Sequence, residues 1–76
     1  MMGKRYYVLL VQETAGERFG VQFGDYENYV VKDEYQEYRD KGYKPAQLQV
    51  LGVEGDTQNE IDIAVNRFNQ MKGITS

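Results

Sequence analysis

The chain contains no cysteine, no histidine and no tryptophan, a single proline, and a single serine at its last position, Ser76. Without cysteine there is neither a disulfide nor a thiolate metal site. Without histidine no Ser–His or Cys–His nucleophile pair can be built, and no imidazole can ligate a metal. Phosphate cradles need clustered glycines ahead of a helix, and "GDTQNE" (55–60) offers one glycine and no following lysine. It also lacks the alternating oxygen ligands and distant glutamate of a calcium loop. Paired carboxylates are the one catalytic arrangement left open, and they would need a cleft flanked by two acids with separated pKa values. The composition therefore points to a protein that is not an enzyme and takes no cofactor or metal.

Long apolar runs are missing too. The longest, Tyr6 to Val11, is too short to span a bilayer or to serve as the core of a signal peptide. Basic clusters are equally scarce: nine lysines and arginines are scattered against twelve acids, for a net charge of −3. Direct nucleic-acid binding needs a basic face that releases counterions, and Lys4–Arg5 is too small to be one. The expectation is a soluble, cytoplasmic protein with no membrane and no direct nucleic-acid partner.

What is present suffices for a fold. With 76 residues the chain makes one domain, and 41% hydrophobic residues with one proline argue against disorder. A core of this size supplies only about 3–5 kcal/mol of stability. "RYYVLLVQ" (5–12) is apolar on both alternating sets, Tyr7/Leu9/Val11 and Tyr6/Val8/Leu10, as a central strand is. "ETAGE" is a turn in which Gly16 can take positive φ. The second strand, 17–24, alternates with Phe19, Val21 and Phe23 on one side.

Asp25 suits an N-cap for a helix over 26–41, and Gly42 and Pro45 suit its end. Residues 46–53 read as a third strand. Thr57 with Glu60 forms a capping-box signature for a second helix over 58–72, whose core stripe is Ile61, Ala64, Val65, Phe68 and Met71. Ile63 falls off that stripe. A right-handed crossover then gives an α+β fold, β-β-α-β-α. Its three-stranded antiparallel sheet has the order 2-1-3, and both helices lie on one face.

The first helix carries the main functional signal. Phe23 to Lys44 holds five of the seven tyrosines and half of the acids. At about 100° per residue, Val31, Tyr35 and Tyr38 share the core side, with Val30 at its edge. Tyr26, Tyr29, Asp33, Glu37 and Asp40 fall on about the opposite arc. Asp33 and Glu37 are spaced i,i+4 and Glu37 and Asp40 i,i+3, where like charges cost a few tenths of a kcal/mol each. Lys41 is the i+4 partner of Glu37 and offsets part of that cost. Tyrosines beside carboxylates suit a basic protein surface, since rings bury area at low entropy cost and acids steer encounter. Mimicry of nucleic-acid phosphates is a special case of the same surface. The competing reading is a solvated charged face.

Helices on one face would leave the other bare. That face would show one of the two apolar sets of the first strand, and the sequence leaves open which. Tyr6, Val8 and Leu10, if outward, would form an apolar patch able to self-associate, and a homodimer would add core to a small chain.

"RYYVLLVQET", "ERFGVQFGDYENYVV" and "EYRDKGYK" together resemble the small accessory proteins of tailed bacteriophages, over about residues 5–44. Those with known roles often bind and inhibit a host protein in the host cytoplasm, and that is what the resemblance implies. No defining motif accompanies it, so no site residue is carried over. The leading expectation is a protein-binding module acting through the tyrosine and carboxylate face. The alternative is a structural or assembly protein that self-associates through the sheet.

Overall fold

β1 (Tyr6–Val11) is the centre of a three-stranded antiparallel sheet, flanked by β2 (Gly20–Asp25) and β3 (Leu48–Val53) in the order β2-β1-β3. Two helices, α1 (Asn28–Asp40) and α2 (Gln58–Met71), complete the α+β fold. The computed structural model describes residues 5–74.

The register of β1 with β3 is regular, from Tyr6 opposite Val53 to Val11 opposite Leu48. Successive residues of a strand point to opposite faces, so β1 presents Val8 and Leu10 to one side and Leu9 and Val11 to the other. All four are buried. Val31, Tyr35 and Tyr38 of α1 pack with Leu9, Val11 and Leu48, whereas Ile61 and Val65 of α2 pack with Val8, Leu10 and Val53. The helices therefore lie on opposite faces, not on one. The physical reason is β1 itself: both of its side-chain sets are apolar, and each needs a cover.

β2 departs from its simple alternation. Leu9 pairs with Phe23 but Leu10 pairs with Val21, so Gln22 is an extra residue and the strand is bulged. Phe23 consequently packs on the α1 side and Phe19 on the α2 side. The expected single face of Phe19, Val21 and Phe23 is split, and Val21 is left 41% exposed.

Element ends follow local chemistry. The Asp25 carboxylate accepts from the Glu27 N–H at 2.8 Å, a side-chain turn that delays the start of α1 to Asn28. At the other end, Gly42 adopts φ 109°, Tyr43 N–H donates to the Tyr38 carbonyl, and Gly42 N–H donates to that of Arg39. α2 closes the same way, with Ile74 on Asn69 and Gly73 on Gln70. Thr57 caps α2 by accepting the Glu60 N–H at 3.2 Å and donating to the Glu60 carboxylate at 2.8 Å. A 3-10 turn, Pro45–Gln47, takes the first residues expected of β3. That turn uses the Gln47 N–H, and the Gln47 side-chain amide donates to the Gln12 carbonyl at 2.9 Å in its place.

Among the described residues, one polar side chain is wholly inside. Asn69 has no exposed surface; it accepts from Phe19 N–H and donates to the carbonyls of Phe19 and Val65. Met71, expected in the core stripe of α2, is 84% exposed instead.

Candidate functional site

α1 is held from below by Val31, fully buried, and by the half-buried rings of Tyr35 and Tyr38. That anchoring turns Tyr29, Asp33, Glu37 and Asp40 outward, and all four are exposed. By helical spacing they share an arc of about 80°. Tyr29 is the most open of the α1 tyrosines, at 66%.

Tyr26 does not belong to this line. It precedes α1, and its ring meets Tyr6 edge to face at 4.9 Å. Its hydroxyl donates to the Asp56 carboxylate. Tyr6 lies on the α2 side of the sheet, so Tyr26 is drawn away from the acids it was grouped with. The helical arc failed for this residue because the Asp25 turn keeps Tyr26 out of the helix.

The cations of α1 are segregated from its acids. Lys32 and Arg39 fall on a separate exposed line, with Gln36 between the two. The Gln36 amide donates to Asp40 at 3.0 Å and fixes the end of the acidic line. Lys41 sets its ammonium 4.7 Å from the centroid of the Tyr38 ring. The i+4 basic partner of Glu37 is thus engaged with an aromatic face. Beside this end of the helix, the Tyr43 hydroxyl donates to Glu13 at 2.6 Å. That hydrogen bond, then desolvation and the Glu13 charge, raise the Tyr43 pKa above its usual 10.0.

The residues expected to self-associate are placed elsewhere. Val8 and Leu10 have no exposed surface and Tyr6 is half-buried, all three under α2. They form no bare patch, because the helix expected beside α1 covers them. Apolar side chains are exposed instead on α2 itself: Ile63, at 46%, and Met71. Ile63's place off the core stripe was the one sequence signal for this.

Shallow grooves flank α2. One is lined by Glu54, Glu60, Ile63 and Arg67 beside β3, and a second by Arg18, Val21, Gln58 and Asp62 beside β2. No group of three or more carboxylates, histidines or cysteines disposed to hold a metal occurs among the described residues. Among them, too, no helix is long and apolar enough to cross a membrane.

No protein family, curated protein or solved structure matches the chain. The site must speak through its own chemistry.

Proposed function

We propose that the chain is a non-enzymatic protein-binding module that presents the Tyr29–Asp33–Glu37–Asp40 line of α1 to a basic protein surface. The observation that carries this reading is the exposure of all four side chains on a helix whose cations are directed elsewhere. Like charges at i,i+3 and i,i+4 cost an isolated helix a few tenths of a kcal/mol each, and a complementary cationic partner reverses that cost. The open Tyr29 ring supplies an amphipathic anchor at one end of the line.

Taken with the phage-like character of residues 5–44, the partner is a host protein in the host cytoplasm, and the module inhibits or modulates it. Where the partner's basic surface is a nucleic-acid-binding groove, the carboxylates stand in for phosphates. Tyr26 is not part of the surface in this reading.

The test is a pull-down from bacterial lysate with the wild type and with Asp33→Lys/Glu37→Lys/Asp40→Lys, both checked for folding by circular dichroism. The wild type is expected to retain a specific protein that the folded triple variant loses, and rising salt is expected to weaken the complex. Equal capture by both proteins, or a complex indifferent to salt, would remove the acidic line as the working surface.

A further inference from the structure

β3 ends the sheet on one side, and its backbone shows which groups face outward. Gln12 N–H donates to the Gln47 carbonyl, and the β1–β3 register continues that pairing without a break. In an antiparallel pair, hydrogen-bonded and non-bonded residue pairs alternate. Gln49, Leu51 and Val53 therefore bond to β1, while the N–H and C=O groups of Leu48, Val50 and Gly52 point to the free edge. Two local contacts agree with that direction. The Leu48 N–H is used by the 3-10 turn, on Pro45, and the Val50 carbonyl accepts from the Gln49 side-chain amide at 2.8 Å.

The two edges of the sheet are not equivalent. β2 is bulged and ends on Asp25, features that discourage a further strand. β3, "LQVLGV", has no charge, no proline and no bulge. Among the described residues, two contacts engage its outward groups: the Gln49 amide on the Val50 carbonyl, and the 3-10 turn on the Leu48 N–H. An uncharged, unbulged edge of this kind is a template for another strand.

We infer that β3 pairs antiparallel with β3 of a second copy of this chain, centred on Val50. The outward set is self-complementary about that residue. Gly52 N–H meets the Leu48 carbonyl of the other copy, and Val50 N–H meets its Val50 carbonyl once the Gln49 amide swings aside. A two-fold axis repeats each bond, as symmetric dimers require. The result is a continuous six-stranded sheet.

Area and charge both favour a second copy as the occupant. A stable dimer buries about 1,200–2,000 Å² in total, and a six-residue strand of roughly 20 Å cannot supply that alone. The flank of α2 beside this edge supplies the remainder. Ile63 and Arg67 line the groove against Gly52 and Val53, and Met71 follows at the next i+4 position. Ile63 and Met71 are among the exposed large apolar side chains of the fold. The flanks also carry both signs: Arg5 lies against Gly52 on one face, and Arg67 sits with Glu54 and Glu60 on the other. A dyad sets such a mixed patch against the same patch of the other copy, so the two flanks do not oppose charge of one sign only.

The experiment uses the unmodified chain. Sedimentation from micromolar to millimolar concentration is combined with residue-resolved amide hydrogen exchange at both ends of that range. A monomer–dimer equilibrium is expected, with exchange at the Val50 and Gly52 amides slowed only where dimer is populated. The Gln49 and Leu51 amides, bonded to β1, are expected to stay protected throughout. A monomer at every concentration overturns the inference. So does a dimer that leaves Val50 and Gly52 exchanging freely. None of these results depends on the acidic line of α1.

Discussion

Asn69 and Phe19, fifty residues apart, are joined like neighbouring strands: Phe19 N–H donates to the Asn69 Oδ1 at 2.8 Å, and Asn69 Nδ2 donates to the Phe19 carbonyl at 3.2 Å. A side-chain amide has the donor and acceptor of a peptide unit, so it can close a backbone pair where no strand is available. Through this pair α2 fastens the segment that enters β2. Asn69→Ala would leave both Phe19 groups buried and unpaired, at a cost of about 2–4 kcal/mol. Urea denaturation measures it, and a change near zero would show that the pair holds nothing.

The Tyr43–Glu13 hydrogen bond gives an alkaline signature. The folded-state pKa of Tyr43 is raised above 10.0, so the folded protein keeps a proton that the unfolded chain releases first. The contribution is fully present below pH 10.0 and is lost as pH rises through the folded-state value. Tyr43→Phe is expected to lower stability at neutral pH, with the gap from wild type closing above pH 10.0. Denaturation midpoints across that window decide it, and a pH-independent gap would assign the loss to packing alone.

Glu37 stands at i+4 from Asp33 and at i−3 from Asp40. Glu37→Gln removes both repulsions and is expected to stabilise the fold by about 0.2–0.5 kcal/mol. The same variant is expected to weaken partner capture. Thermal denaturation beside the pull-down separates the two effects. A destabilised Glu37→Gln would mean the carboxylate serves the fold instead of a partner.

Removing the bulge is a test of register. Deleting Gln22 brings Val21 next to Phe23, and Phe23 can still face Leu9 while Val21 faces Leu10. That variant is expected to fold, with both cross-strand contacts retained in nuclear Overhauser spectra. Deleting Val50 from the unbulged β3 instead turns every following side chain to the wrong face, and is expected to abolish folding. Unfolding of the Gln22 deletion would show that the bulge itself is required.

Much of this architecture can be read in the chain, for identifiable reasons. The double apolar alternation of Tyr6 to Val11 marks the central strand, and Thr57, Gly42 and Gly73 mark helix ends through local backbone needs. The side of the sheet taken by α2 is harder to read. The same alternation that centres β1 also demands two covers, a consequence easily passed over when an antiparallel sheet is assumed to keep one face bare. The Gln22 bulge has no local signal, since Phe19, Val21 and Phe23 alternate regularly with or without it. Asn69 in a core slot depends on the backbone of Phe19, a distant partner that helical periodicity does not see. At the candidate site, Asp33, Glu37 and Asp40 were legible from spacing alone. Tyr26 was not, because its position is decided by Tyr6 and Asp56, far from it in sequence.

β1 also has a consequence for how damage spreads. Its six residues form a party wall between two rooms, one furnished by α1 and the other by α2, and among the described residues the buried side chains of the two are distinct. A cavity cut on one side, as by Val31→Ala, reaches the other only by bending that wall. Substitutions in separate rooms should therefore sum, and each room can be refurnished in evolution while its neighbour stands.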